Sequence, residues 1–404
     1  MRTSNLNRLL RHTAPHRFLL LCLPFTASCS EGSGTEPCAG LPTRTVLVYL
    51  AGDNNLEEIG RTPELLRQGW KDTGSKCLIY YDAPQAAPKL FALTIRHSDA
   101  SSVLETVEEY PEENSSSAGV FGRVLADVVR KYPSDSYGLI FASHGSGWLP
   151  CGALSDPTRT IGDDRTPGTT GGAREMEITD FAAAIPDHQF DFIIFEACLM
   201  SGIEVAYELR NKTDYLLASS AELLVPGYAP VYPTAFQYLF DTSLGVPQAL
   251  EKFAGSYFNY IDTRDGAYRS ATQSIVYTRE MDALAILAGK TTGNTHGRWD
   301  DALLGKLQHF DRPGSYGDIP ARPRYFDFGQ YMAYLAPERQ ADLDALLRKT
   351  VVWKAATPEF MAGYNGFTIL THSGLTTYIE QDEFPELNAA YKKTAWWEAT
   401  HVQK

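Results

Sequence analysis

From Thr43 onward, uninterrupted apolar runs alternate with stretches in which apolar residues recur every three or four positions. The first run, Arg44-Thr-Val-Leu-Val-Tyr-Leu50, predicts a buried strand, and Ala51-Gly-Asp-Asn-Asn55 the polar loop after it. A helix is expected over Leu56–Gln68, a strand over Lys76–Tyr81, and shorter strands within Phe91–Val107. Ser117–Tyr132 carries Val120, Phe121, Val124, Leu125, Val128 and Val129 at helical spacing. Strands are then expected over Ser136–Ala142, Phe190–Phe195 and Tyr215–Ala218, with helices over Ile178–Ile185 and Leu199–Arg210. Continuous apolar strands separated by amphipathic helices point to an α/β/α sandwich with a mainly parallel sheet covered on both faces.

Beyond about residue 240 the pattern becomes helix-rich, with helices expected at 248–262, 281–288 and 342–352 and strands at 274–277 and 367–371. The predicted organisation is therefore a core over 43–240 and a C-terminal portion over 241–404 packed on it. No internal repeat is evident.

Charge alters the picture mainly at the N-terminus. The 404 residues include 36 Lys plus Arg against 49 Asp plus Glu, a net charge of −13. Residues 1–28 hold Arg2, Arg8, Arg11 and Arg17 and no acid, so the remainder is more acidic still. Such a body repels phosphate backbones, which argues against nucleic-acid binding. The arginines precede a short apolar run, Phe18–Phe25, and then Thr26-Ala27-Ser28-Cys29, the layout of a secretory signal. So short a run cannot cross roughly 30 Å of hydrocarbon. Cys29 directly after Ala-Ser resembles a bacterial lipobox, which implies export and a lipid on Cys29 anchoring the protein to the cell envelope. Plain signal-peptidase cleavage is the alternative. Residues 29–42, rich in Gly, Ser and Pro, suit a flexible tether. The six cysteines (Cys22, Cys29, Cys38, Cys77, Cys151 and Cys198) include no Cys-x-x-Cys pair of the kind a zinc or thioredoxin site uses.

Two predicted strand ends carry complementary reactive groups, His144 and Cys198. Ligands of parallel α/β sheets bind at the carboxyl ends of strands, and an imidazole that takes a thiol's proton makes it a nucleophile. Each residue alone has an ordinary reading, a small core cysteine or a turn histidine; their joint placement favours chemistry. Gly145 after the histidine leaves its backbone N–H open to a substrate carbonyl. That N–H and the N–H of Cys198 form a candidate oxyanion hole, to which a helix starting at Leu199 would add its positive end.

Val48-Tyr-Leu-Ala-Gly-Asp-Asn-Asn-Leu56, Ser143-His-Gly-Ser-Gly-Trp148, Phe195-Glu-Ala-Cys-Leu-Met200 and Ile203-Glu-Val-Ala-Tyr207 together resemble the clostripain-like cysteine peptidases, relatives of caspases and gingipains. Tyr325–Gly329 and Gly374–Ile379 extend the likeness over most of the chain from about residue 43. The histidine stands 54 residues before the cysteine, near the spacing of about 50 in caspases. The resemblance implies a caspase-like fold, a Cys198–His144 dyad, and hydrolysis of protein or peptide substrates through a thioester. It also implies cleavage after Arg or Lys, with no metal or other cofactor in the chemistry. A monomer is expected.

The family often has Asp two residues before the nucleophile, where this chain has Glu196. The charge is kept, but the extra methylene displaces the carboxylate, and Arg recognition depends on planar bidentate geometry. Asp53 and Glu222 are further acids for a substrate pocket, though Asp53 equally suits a turn and Glu222 a helix start. Leu149–Arg174 is Gly-rich and offers Arg159, Arg165 and Arg174 as self-cleavage sites; a loop that stays intact is the alternative. Two other functions fit the same residues: a surface binding protein without turnover, and a thiol amidase of small substrates.

Overall fold

Alternate residues of the first strand enter two different cores, Leu47, Tyr49 and Ala51 on one side and Val46, Val48 and Leu50 on the other. A strand buried on both faces needs helices on both, and the computed structural model has that arrangement. The structure describes residues 43–154, 161–165, 175–292, 301–315 and 320–401. The expected signal segment, tether and lipidation position Cys29, together with Arg159 and Arg174, lie outside the described residues.

The strands are β1 (Arg44–Ala51), β2 (Lys76–Asp82), β3 (Lys89–Ile95), β4 (Ser102–Glu109), β5 (Ser136–Ala142), β6 (Phe190–Glu196), β7 (Thr213–Ala218), β8 (Thr272–Tyr277), β9 (Phe326–Asp327) and β10 (Val351–Ala356). All but β9 form one nine-stranded sheet in the order β10-β8-β7-β6-β5-β1-β2-β3-β4. Its five central strands, β7, β6, β5, β1 and β2, are parallel. Both flanks are antiparallel. The stretch expected to hold shorter strands, 91–107, lies within the hairpin of β3 and β4. From beyond residue 240, β8 and β10 extend the other edge of the same sheet.

One face is covered by α1 (Ala118–Lys131) and α2 (Ile178–Ala183), whose Phe121, Val124 and Phe181 pack on β1 and β5. The opposite face is covered by the helix Val246–Asp262, through Leu250, Phe253 and Tyr257, and by the short helices around Tyr232 and Phe236. The helix Ala395–His401 lies against Ile203–Glu208, where Trp396 meets Tyr207 edge-on at 5.6 Å. The mainly parallel α/β/α sandwich expected from the apolar pattern is the architecture found.

Two local expectations are corrected. The helix predicted from Leu199 begins only at Ile203. Leu199 is in the left-handed region at φ 61°, and its N–H donates to Ala221 O at 2.9 Å. The apolar residues Leu199 and Met200 that suggested a helix are instead core residues of a loop. The strand predicted over 367–371 is reduced to Phe367–Thr368, which pairs with Glu359–Phe360 outside the main sheet.

Candidate active site

The position of the site follows from strand register. β5 and β6 are parallel neighbours with Ala142 opposite Glu196. His144 and Cys198 each lie two residues beyond that pair, so both loops leave the sheet side by side. The Ser143 N–H donates to Glu196 O at 3.3 Å and continues the ladder past the strand ends. Between β5 and β1 the chain order reverses, since β1 continues to β2 on its other side. In parallel α/β sheets such a switch point opens a crevice at the strands' carboxyl ends.

That crevice is a small open cleft with a cavity volume of about 60 Å³, with His144, Cys198 and Glu196 among its lining residues. Leu56, Ile59 and Thr62, from the segment after β1, line it together with Leu223, Val225 and Pro226, from the segment after β7. Asp53 and Glu222 are not among its lining residues. The Asp53 carbonyl accepts from the Arg165 N–H at 2.8 Å. The Glu222 carboxylate holds Arg312, whose Nε and Nη2 donate to Oε2 at 3.0 and 2.7 Å.

Gly145 shows why the loop after β5 needs glycine. A Cβ there would come within 2.8 Å of Cys198 O, 2.9 Å of Ala197 Cβ and 3.0 Å of Met200 Sδ. The backbone stretches that bear the Gly145 and Cys198 N–H groups are thus in direct contact. The Cys198 sulfur faces the segment after β7: it donates to Leu223 O at 3.8 Å and receives the Leu223 N–H at 3.4 Å. With the helix starting at Ile203, the expected positive helix end beside Cys198 is absent, and Leu223 N–H supplies a donor in its stead.

His144 is buried, and its Nε2 lies 2.7 Å from Asn55 Oδ1. The sequence reading singled out Asp53 in the Asp-Asn-Asn turn, yet Asn55 is the residue that reaches the imidazole. Asn54 secures the turn by donating to Ala51 O at 2.8 Å and accepting from Leu56 N at 2.8 Å.

Glu196 reaches backwards under the cleft. Its Oε1 accepts from Tyr228 N at 2.6 Å and its Oε2 from the Tyr232 hydroxyl at 2.5 Å. Burial pushes its pKa up to about 7, the two donors opposing the rise. Gly227 makes room, because at φ 60° a Cβ would stand 2.4 Å from Glu196 Oε1. Tyr228 and Tyr232 escaped the sequence reading, since nothing local marks residues more than 30 positions away as partners of Glu196. Of the three arginines considered for self-cleavage, Arg165 is described; its Nε pairs with Asp163 Oδ2 at 3.3 Å. Among the described residues no group of three His, Cys, Asp or Glu is placed to hold a metal ion.

Solved structures of C11 proteases are similar to this fold over most of the chain. An inactive zymogen C11 protease from Parabacteroides distasonis is 28% identical and superimposes with a TM-score of 0.73, covering 89% of this chain and 98% of that one. A secreted C11 cysteine protease from Bacteroides thetaiotaomicron, solved with an irreversible peptide inhibitor, is 26% identical, with a TM-score of 0.73 over 88% of this chain and 98% of that one. These neighbours define the fold as that of the C11 cysteine proteases, a caspase-like sandwich. Residues 48–287 match the clostripain family, and the chain belongs to it. It is 26% identical to clostripain of Hathewaya histolytica over 290 residues, 64% of this chain and 52% of that protein. The chain therefore spans about half the length of the curated relative it matches.

Proposed function

We propose that this chain is an exported cysteine endopeptidase that cleaves after Arg or Lys, with Cys198 as nucleophile and His144 as general base and then acid. The observation that carries this reading is the Ala142–Glu196 register, which sets the two residues on adjacent loops of one cleft. His144 takes the proton of Cys198, and the thiolate attacks the scissile carbonyl carbon. The oxyanion that forms is met by the N–H groups of Gly145 and Cys198. His144 then gives its proton to the departing amine, leaving a thioester that water hydrolyses with His144 again as base. Glu196, at the cleft between Cys198 and Tyr232, is the acid for a basic side chain.

The Bacteroides thetaiotaomicron relative supports a peptide substrate through its bound irreversible peptide inhibitor, and export through its description as secreted. The N-terminal pattern adds an anchor through a lipid on Cys29. Processing within Leu149–Arg174 is part of the same reading. Arg165 is tied by its backbone to Asp53 and by its side chain to Asp163, which counts against cleavage at that site.

A fluorogenic panel varied at the residue before the cut, run on the wild type and Cys198→Ala, tests the proposal. Cleavage after Arg or Lys that vanishes in the variant is the expected result. Cleavage that survives in Cys198→Ala overturns the nucleophile, and cleavage confined to neutral residues overturns the basic pocket.

A further inference from the structure

We infer that Asn55 is a positioning residue for His144, fixing the imidazole in the form that leaves Nδ1 basic, and that the segment Ile161–Arg165 straps Asn55's loop to His144's loop. The inference rests on the proposed Cys198–His144 chemistry.

An amide oxygen only accepts hydrogen bonds. With Asn55 Oδ1 at 2.7 Å, the Nε2 of His144 must carry the proton. The neutral ring then has its lone pair on Nδ1, so Nδ1 is the nitrogen that can take the thiol's proton. A third group that orients the base recurs in nucleophilic sites of unrelated fold, because a ring free to rotate or change tautomer spends little time in the productive state.

The strap explains how a turn residue holds a ring so firmly. Gly162 N–H donates to the carbonyl of His144 itself at 3.0 Å. Asp163 N–H donates to Ser143 Oγ at 3.3 Å, and Asp163 O accepts from the Asn54 amide at 3.0 Å. Arg165 N–H donates to Asp53 O at 2.8 Å. Within a few residues the strap is bonded to Asp53 and Asn54, the two residues before Asn55, and to the histidine loop, closing a ring of contacts across the β1–β5 switch point. Its far side is pinned through Asp164, which accepts from Ser115 N at 2.5 Å. Ser143 Oγ also donates to Ala51 O at 3.0 Å, joining the two strand ends directly.

The test uses the full chain with Asn55→Ala and Asn55→Asp, read by steady-state kinetics across pH and by long-range nitrogen NMR of His144, assigned with His144→Gln. Asn55→Ala is expected to lower kcat by roughly 10- to 100-fold with KM changed little, part of what a general base contributes. Asn55→Asp keeps the acceptor and is expected to recover most of kcat. Its charge should also move the acidic limb of the pH profile upward by about one unit. Wild type and Asn55→Asp should show the Nε2–H form of His144, and Asn55→Ala a mixture. An unchanged kcat and pH profile in Asn55→Ala, beside a dead Cys198→Ala, overturns the positioning role and leaves the dyad intact. Were the wild type itself to show no Cys198-dependent cleavage, the proposed function would fail instead. The NMR arm would still decide this inference, an Nδ1–H form in the wild type overturning it.

Discussion

The Tyr232 hydroxyl donates to Glu196 Oε2 at 2.5 Å, so the acid two residues before Cys198 meets the cleft with its second oxygen already engaged. Burial raises its pKa to about 7, so the carboxyl is largely neutral below pH 7 and charged above it. Preference for Lys over an uncharged analogue such as norleucine before the cut should therefore grow as pH rises through 7. Tyr232→Phe removes a donor that favours the charged form and should move that midpoint upward. Ratios of kcat/KM for paired substrates between pH 5.5 and 8.5 check this. A ratio that stays flat across the range, or one untouched by Glu196→Gln, sends the search for the basic pocket elsewhere.

Gly145 touches the loop that carries Cys198 with no space for a methyl group. A Cβ under 3.0 Å from Cys198 O and Ala197 Cβ forces the two loops apart, and a shift of about 1 Å at reacting groups can cost on the order of 10²-fold in rate. Gly145→Ala should therefore lower kcat/KM by about that factor. The sandwich core, built elsewhere, should survive with a melting temperature reduced by only a few degrees. A fully active Gly145→Ala enzyme contradicts the packing of these loops.

Asp82, at the end of β2, has its pKa pushed up to about 8. Burial is the largest cause, the nearby carboxylates of Asp164 and Glu112 add to it, and the Ser115 hydroxyl opposes it. Between the ordinary value near 4 and about 8 the folded protein holds a proton that the unfolded chain has lost. Stability attributable to this group is thus complete below about pH 4 and declines as pH rises towards 8. Asp82→Asn, neutral throughout, should match the wild type near pH 4.5 and exceed it at pH 8 by several kcal/mol. Urea midpoints across that range give the answer. A constant difference between the two proteins at every pH means that Asp82 is not protonated when folded.

Much of this architecture was legible because burial on both faces leaves unbroken apolar runs. β5 ends at Ala142 as read, and β1 runs one residue beyond Leu50. His144 and Cys198 stood out for the same reason, each following a run that had to be a strand. What stayed hidden depends on neighbours distant in sequence. Asn55 reaches His144 only because β1 pairs with β5 as well as β2, an order that no local pattern encodes. Tyr232 meets Glu196 through a chain reversal after β7. Leu199 and Met200 look helical because they are apolar, but the loop they occupy bonds to the segment after β7, with Leu199 N–H on Ala221 O and Ser201 N–H on Ser219 O. Helical periodicity cannot distinguish a buried loop from a buried helix over so few residues.

Arg312 and Glu222 give the last test, because they separate a structural acid from a substrate-binding one. Their pair is nearly buried, with side-chain exposures of 16% and 6%, and Arg312 Nη1 also donates to Tyr364 O at 3.2 Å. Glu222 stands between Ala221, whose carbonyl holds Leu199, and Leu223, whose N–H meets the Cys198 sulfur. Arg312→Ala strands a buried carboxylate, which typically costs about 3–5 kcal/mol, and should loosen both contacts beside Cys198. A lower melting temperature and a lower kcat are expected together. Glu222→Ala alone should destabilise similarly, and the double variant by much less than the sum. Glu222→Gln should leave the preference before the cut unchanged while weakening the fold. The opposite pattern, a stable protein that no longer prefers Arg or Lys, would make Glu222 the acid that reads the substrate and leave Glu196 a support for the loop around Cys198.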